Sequence, residues 1–345
     1  MIFRQLYHHD SGTYTYLLGG RAGGEALIID PVQERVERYL ALLEELDLTL
    51  SKVLDTHVHA DHISGMAELR DRTSCVTVMG REAPVDVVSM RVGDGDPIEI
   101  EGVRLLALHT PGHTAESYSF AMGDRVFTGD TLLIRGTGRT DFQNGDALQQ
   151  YDSLFGKLLT LPDETLVYPG HDYKGDTVST IGEERRFNPR LQVASPAEYA
   201  TLMDNLNLTD PKMMDVAVPA NLSVGRGQED EAHPECAMSA REVMHGHRPD
   251  DILVDLREAS ERAREGTIPG SVHAPYGRLA EMIEPGGALR ALAGRPGHRL
   301  VYYCAFGERS AMAVESSRQS GVGNVCHMIG GIAAWREVGG TVEAC

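Results

Sequence analysis

The chain has 345 residues, 41% of them apolar and 24% charged, with a formal net charge of −19. That length exceeds one ordinary core and predicts two domains, while the negative field disfavours nucleic acid and anionic membranes as partners. The five cysteines, Cys75, Cys236, Cys304, Cys326 and Cys345, are odd in number and contain no CxxC pair, which argues against a disulfide framework and for a reducing compartment.

The segment Met1-Ile2-Phe3-Arg4-Gln5-Leu6-Tyr7 is strand-like and carries no secretory, transit or transmembrane pattern, so the cytoplasm is the expected location. Short strands are predicted at 15–18, 26–29, 53–55, 76–79, 103–108, 118–121, 126–128 and 166–168, with helices at 34–46, 63–70 and 147–159. Strands in two groups with helices outside them make a sandwich of two sheets flanked by helices. Glycine and charge at 225–231 mark a linker, which puts the domain boundary between 228 and 229. Beyond it, strands at 252–256 and 300–303 alternate with helices at 288–293 and 310–319, the pattern of a smaller α/β domain with a parallel sheet.

Residues His57-Val58-His59-Ala60-Asp61-His62 place four metal-capable side chains within six positions, between a strand and a helix-like stretch. Three later segments repeat the theme: Thr110-Pro111-Gly112-His113-Thr114, Phe127-Thr128-Gly129-Asp130-Thr131 and Tyr168-Pro169-Gly170-His171-Asp172-Tyr173. Each sets a His or Asp directly after an apolar strand, where a tight Gly or Pro loop can aim it into a shared pocket. Singly, His113 or His171 reads as an ordinary hydrogen-bonded histidine; as an ordered set, these residues point to a metal centre.

This set resembles the metallo-β-lactamase superfamily over residues 1–225, with glyoxalase II and the persulfide dioxygenases as the relevant branches. In hydrolases of this kind His57, His59 and His113 would hold one metal, Asp61, His62 and His171 a second, and Asp130 would bridge them. The stretches 131–143, 172–180, 188–191 and 215–221 are similar instead to the persulfide dioxygenases. That resemblance implies an αββα sandwich with one Fe(II) per chain, held by His57, His113 and Asp130 as a two-histidine, one-carboxylate face. His59, Asp61, His62 and His171 would then hold the ligands or an ordered water by hydrogen bonds. The implied reaction is oxidation of glutathione persulfide by O2 to sulfite and glutathione. Arg139 and Tyr173 match positions that contact glutathione in these relatives, Arg139 being suited to a carboxylate fork, and Asp141 either orients Arg139 or meets the substrate amine. Thr137 stands where many relatives carry Cys, which implies altered redox sensitivity rather than lost activity.

In Val301-Tyr302-Tyr303-Cys304-Ala305-Phe306-Gly307-Glu308-Arg309-Ser310 a buried strand ends at Cys304, a turn centred on Gly307 follows, and Ser310 opens a helix. Inward N–H groups and the helix N-terminus favour a thiolate at Cys304, and Arg309 either reinforces the loop or attracts an anionic substrate. Together with Val254-Asp255-Leu256-Arg257-Glu258, Gly266-Thr267-Ile268-Pro269-Gly270-Ser271-Val272-His273 and Gly330-Gly331-Ile332-Ala333-Ala334-Trp335, it resembles the rhodanese (sulfurtransferase) family over residues 235–345. The resemblance implies an α/β rhodanese domain with Cys304 as sulfur carrier and Ala305, Phe306, Gly307 and Glu308 as its active-site loop. The short loop and Glu308 disfavour a phosphate dianion, and the other four cysteines read as structural or incidental. The combined expectation is a bifunctional sulfur enzyme whose rhodanese domain moves sulfane sulfur between thiosulfate or sulfite and glutathione. The rival reading is a dinuclear thioester hydrolase of the glyoxalase II type with a rhodanese-like binding or persulfide-carrier module. A homo-oligomer is compatible with the sequence, which specifies no assembly.

Overall fold

The computed structural model describes residues 1–142, 144–206, 208–209, 213–225, 234–246, 248 and 250–345. Gln143, most of the 225–231 linker and the expected 228/229 boundary lie outside the described residues. The chain divides into one unit of Met1–Asp86 with Arg91–Val224 and another of Val87–Met90 with Gly225–Cys345.

In the first unit one sheet runs in chain order through β1 (Ile2–His8), β2 (Thr13–Gly19), β3 (Glu25–Ile29), β4 (Thr49–Leu54), β5 (Val76–Gly80) and β6 (Met90–Val92). The other contains β7 (Pro97–Ile100), β8 (Val103–His109), β9 (Tyr118–Met122), β10 (Arg125–Gly129), β11 (Leu166–Pro169) and β12 (Ser179–Thr180), adjacent in sequence order. Every residue of β2 is buried, because one face meets the second sheet and the other is covered. Between the sheets Phe3 and Tyr16 pack on Tyr168 and Phe127, each pair with ring centroids 4.9 Å apart. Such aromatic pairs add about 0.5–1.5 kcal/mol beyond burial. Tyr16 donates its hydroxyl to the Pro169 carbonyl at 2.6 Å and Tyr14 N–H to that of Gly170 at 2.8 Å, which joins β2 to the end of β11.

The helices of this unit are α1 (Val36–Glu45), α2 (Met66–Thr73), α3 (Ala147–Gly156), α4 (Ile181–Phe187), α5 (Pro196–Asp204) and α6 (Met214–Leu222). Asp146 caps α3 by accepting the N–H groups of Leu148 and Gln149, and Ser195 caps α5 ahead of Pro196. The helix expected from residue 63 starts at Met66 instead. The backbone of 63–65 is already committed: Ile63 C=O accepts Gln33 N–H, Ser64 N–H reaches Asn221, and Gly65 N–H reaches Pro31 C=O. The helix expected over 147–159 ends at Gly156 and is followed by a 3-10 turn at Leu158–Thr160.

The second unit has a parallel sheet of β13 (Ala237–Met238), β14 (Asp251–Asp255), β15 (Val272–His273), β16 (Arg299–Tyr303) and β17 (Val325–Met328), in the spatial order β13-β17-β16-β14-β15. Leu300 and Tyr302 face one core cluster, Val301 and Tyr303 the other, so β16 is a continuous apolar run. Helices α7 (Ala240–Gly246), α8 (Ala259–Glu265), α9 (Leu279–Ile283), α10 (Ala288–Ala293), α11 (Glu308–Gln319) and α12 (Gly331–Glu337) complete it. α11 opens two residues earlier than expected. Gly307 takes the N-cap position at φ 100°, so Glu308 and Arg309 belong to the first helical turn and not to a wide loop. Among the described residues no helix is long and apolar enough to cross a membrane.

Candidate metal centre and cysteine loop

The ends of β4, β8, β10 and β11 deliver His57, His113, Asp130 and His171 to one rim of the sandwich. One ligand atom each from His57, His113 and Asp130 lies within 4.8 Å of the other two, with His113 Nε2 3.6 Å from Asp130 Oδ2. Hydrogen bonds fix both imidazole tautomers. Thr56 donates its one hydroxyl proton to Asp30 Oδ2 at 3.0 Å, so it accepts from Nδ1 of His57 at 2.9 Å. His113 Nδ1 donates to the Arg139 carbonyl at 2.8 Å. Both Nε2 lone pairs are thereby left for a metal. Burial, together with the neighbouring His59 and His113, holds the His57 pKa well below the ordinary value, which keeps the ring neutral. Burial alone would raise the Asp130 carboxyl, but His171, His113 and His57 override it and keep it below the usual carboxylate range. Gly129, at φ 49°, makes the close approach possible: a Cβ there would lie 2.7 Å from Thr56 Oγ1. Two neutral imidazoles and a carboxylate on one wall fit a divalent transition metal.

The remaining candidates surround this trio. His171 places Nδ1 2.6 Å from Asp130 Oδ1 and Nε2 2.9 Å from Asp61 Oδ2. Burial opposes charge on His171, but Asp130 and Asp61 win and raise its pKa well above the ordinary value, so both ring nitrogens act as donors. Asp61 Oδ2 also meets Thr13 Oγ1 at 3.1 Å and His62 Nδ1 at 2.9 Å. His59 lies 3.2 Å from Asp30 Oδ1 through Nε2; burial works against its charge, yet Asp30 lifts its pKa to about 9. His59, Asp61 and His62 form a second group with ligand atoms within 4.8 Å, and His59 Nδ1 and His62 Nε2 have no hydrogen-bond partner among the described residues.

Two residues essential to this frame carried no sequence expectation. Asn221, in α6, donates to the carbonyls of His59 and His62 at 2.9 Å each and accepts Ser64 N–H at 2.8 Å, closing the 59–64 loop from below. Asp30 follows β3 and precedes Pro31, the same strand-end signal that marked Asp130, and could have been read from it.

A cavity of about 260 Å³ opens over the trio, walled by Leu133, Ile134, Arg139, Phe142 and Tyr173 among others. A second cavity, about 640 Å³, shares Asp61, Arg139, Tyr173 and Leu208 with it. Asp141 grips the Arg139 fork at 2.5 and 2.7 Å, and the guanidinium lies 4.7 Å from the Phe142 ring centroid. Asp141 therefore orients Arg139, and that hydrogen-bonded fork holds its carboxyl below the usual range. Tyr173 is 72% exposed and stacks on His171 with ring centroids 6.0 Å apart. Thr137 is buried, accepts from Arg190 Nη1 at 3.2 Å and lies 3.2 Å from the Tyr199 hydroxyl, whose own proton goes to Gln150 Oε1 at 2.7 Å.

In the second unit Cys304 directly follows β16, fully buried, and accepts Gly307 N–H on Sγ at 3.1 Å. Ser310 Oγ is 3.9 Å from Sγ, donates to Gly307 C=O at 2.8 Å and lies 3.4 Å from His327 Nδ1. Ala305 is buried and Phe306 half-buried. Gly331, at φ 58°, allows α12 to press on this loop, since a Cβ there would lie 2.4 Å from Cys304 O. Of the two roles open to Arg309, the contacts fit reinforcement of the loop. Its guanidinium is fully buried and pairs with both Glu261 oxygens at 2.8 and 2.7 Å, so it supports the loop from behind and does not face an incoming anion. Burial opposes its charge, but Glu261 raises its pKa further. Glu308 is likewise buried in the first turn of α11.

Fold and site together define a metallo-β-lactamase protein joined to a rhodanese: residues 10–85 and 82–171 match the metallo-beta-lactamase superfamily, and 239–338 match the rhodanese-like domain. Mouse (Mus musculus) persulfide dioxygenase ETHE1, mitochondrial, is 46% identical over 228 residues, covering 65% of this chain and 89% of that protein; the human (Homo sapiens) counterpart is 45% identical over the same length and shares. The crystal structure of ETHE1 from Myxococcus xanthus shares 54% identity over 66% of this chain and 100% of its own, with a TM-score of 0.64. The chain belongs to the persulfide dioxygenase family of the metallo-β-lactamase superfamily and carries a rhodanese-like domain at its C-terminal end. A metallo-beta-lactamase from Staphylococcus aureus, 22% identical with a TM-score of 0.60, covers 96% of this chain and 98% of its own and shares the fold alone.

Proposed function

We propose that the first unit oxidises glutathione persulfide with O2 and water to sulfite and glutathione, using one Fe(II) held by His57, His113 and Asp130. The observation that carries this reading is the arrangement of hydrogen bonds: Nε2 of His57 and of His113 is left for a metal, while His171 and Asp61 are committed to each other and to their neighbours. When bound, Fe(II) would supply adjacent open positions for a sulfur ligand and dioxygen. The rest falls to side chains. The His171 imidazolium holds Asp130 Oδ1, leaving Oδ2 toward His113. Arg139 is the proposed cation for a glutathione carboxylate, which would take the place of Asp141 or of the Thr209 carbonyl on its guanidinium, with Tyr173 on the wall common to both cavities. Leu133, Ile134 and Phe142 keep the sulfur end dry. Fe(II), glutathione and the persulfide belong to this proposal, as does a cytoplasmic setting.

In the second unit the proposed reaction is transfer of sulfane sulfur between thiosulfate or sulfite and glutathione through a Cys304 persulfide. The Gly307 N–H on Sγ supports a negatively charged sulfur there. The test is oxygen-electrode measurement on iron-quantified protein with glutathione persulfide. O2 uptake with about one iron per chain is expected; two metals and thioester turnover would overturn the proposal in favour of a hydrolase. Cys304→Ser should abolish thiosulfate sulfur transfer and leave O2 uptake intact, and retained transfer would remove Cys304 from its role.

A further inference from the structure

Cys236 and Cys326 are not isolated core residues. Ala237 of β13 pairs with His327 of β17 in parallel, and Cys236, the last residue of a 3-10 turn, and Cys326, within β17, immediately precede these two partners. Adjacent strands run about 4.8 Å apart, within the span a disulfide bridges. Both side chains join the same core cluster on one face of the sheet. Each sulfur also meets its own guanidinium: Arg318 Nη1 donates to Cys236 Sγ at 3.1 Å and Arg299 Nη1 to Cys326 Sγ at 3.7 Å. Arg318 is about one-third exposed and Glu235 mostly exposed, so Cys236 lies one side chain beneath the solvent. Arg318 also meets Glu235 at 3.5 Å and Arg299 also pairs with Asp251 at 2.6 Å, so each sulfur shares its guanidinium with a carboxylate, and neither thiol belongs to the Cys304 loop.

We propose that Cys236 and Cys326 form a second sulfur-reactive site, a dithiol that low-molecular-weight persulfides and polysulfides convert to a disulfide. Cys236, the sulfur with the closer guanidinium, attacks the outer sulfane sulfur of a persulfide; its new S–S bond forms as the donor's S–S bond breaks, and the donor leaves as a thiol. Cys326 then attacks Cys236 Sγ and expels the transferred sulfur as sulfide, which carries away the proton from Cys326. In balance, two protein thiols and one persulfide give one protein disulfide, one small thiol and one hydrogen sulfide. The two electrons come from the cysteines, and the sulfane sulfur accepts them. Burial pushes the Cys326 thiol up, with Arg299 acting against it, which suits the resolving rather than the attacking role. The choice of oxidant rests on the proposed persulfide chemistry; the dithiol itself rests on geometry alone.

The full-length protein is treated anaerobically with inorganic polysulfide, alkylated without reduction, digested and mapped by mass spectrometry, with parallel samples of C236S and C326S and a hydrogen peroxide arm. The expected result is a peptide pair linked through Cys236 and Cys326, about one sulfide released per link, and no link in either variant. Two alkylated thiols, or two separate persulfides without a link, would overturn the proposal, as would a link formed by peroxide and not by polysulfide. Wild-type mapping decides the matter even if a variant folds poorly. O2 uptake with glutathione persulfide, measured on untreated protein, scores the dioxygenase reading separately: a link without O2 uptake fails that reading and leaves this one standing.

Discussion

Nδ1 of His113 donates to the main-chain carbonyl of Arg139 at 2.8 Å, so one residue orients a candidate metal ligand with its backbone and presents a cation to the cavity with its side chain. The two roles are separable by mutation. Arg139→Ala keeps the carbonyl and removes the fork. A charge-assisted hydrogen bond contributes about 1.5–3 kcal/mol, so KM for glutathione persulfide should rise about 10- to 100-fold. Metal content should stay at the wild-type level. Steady-state O2 uptake and elemental analysis check both halves; loss of metal in this variant would mean that the side chain holds the His113 loop as well.

The trio and its frame should separate in metal content. His113→Ala removes one of three proposed ligands and should leave almost no metal after dialysis. His59→Asn removes a residue whose Nε2 faces Asp30 and should retain about one metal per chain, with affinity weakened about 10- to 100-fold as for other outer partners. Metal analysis across free-metal concentrations gives the comparison. Wild-type protein that binds two metals, with His59→Asn binding one, would favour the dinuclear alternative.

Asn221 closes the 59–64 loop with three hydrogen bonds in a buried place. Asn221→Ala leaves two carbonyls and one N–H without these partners, and each buried unsatisfied group costs about 1–3 kcal/mol. After partial relaxation a loss of about 3 kcal/mol is expected, lowering the melting temperature of the first unit by about 10 °C. Differential scanning calorimetry reads this directly, and the second unit's transition should not move.

Much of this site was legible because it is built from strand ends. His57, His113, Asp130 and His171 each come after an apolar run, the last three directly after a Gly and His57 within a dense His/Asp cluster, and those signals are local. Asn221 was not legible: its partners are about 160 positions away, and nothing near it marks a loop-closing amide. Strands β13 and β15 have two residues each, too few for an alternation to register, and β17 (Val325–Met328) also went unread, so the parallel sheet was foreseen from β14 and β16 alone. The choice between the two roles of Arg309 was not legible, because its position in the Cys304 segment carries no information about Glu261, 48 residues earlier, which takes its fork. The approach of the Cys236 and Cys326 segments depends on the two-residue β13 and was invisible for the same reason as that strand.

The buried carboxylate Asp255 should set the acid limit of the second unit. It receives Arg257 through Nε at 3.0 Å and Nη2 at 2.7 Å, and the hydroxyls of Thr267 and Tyr303 at 2.9 Å each. Burial alone would raise its pKa, but the Arg257 fork lowers it below the ordinary value. A carboxyl depressed on folding contributes stability that is present above the unfolded value, about 3.9, and is lost as pH falls through the folded value. The second unit should therefore hold at pH 5 and unfold only below about pH 4. Trp335, the one tryptophan in the chain, is buried against this unit's core and reports its unfolding. Asp255→Asn leaves the buried Arg257 charge without its partner and should cost about 3–5 kcal/mol at neutral pH while flattening the acid transition. If its Trp335 fluorescence keeps the wild-type acid midpoint, the acid sensitivity belongs to Asp251, whose carboxyl Arg299 holds down in the same way.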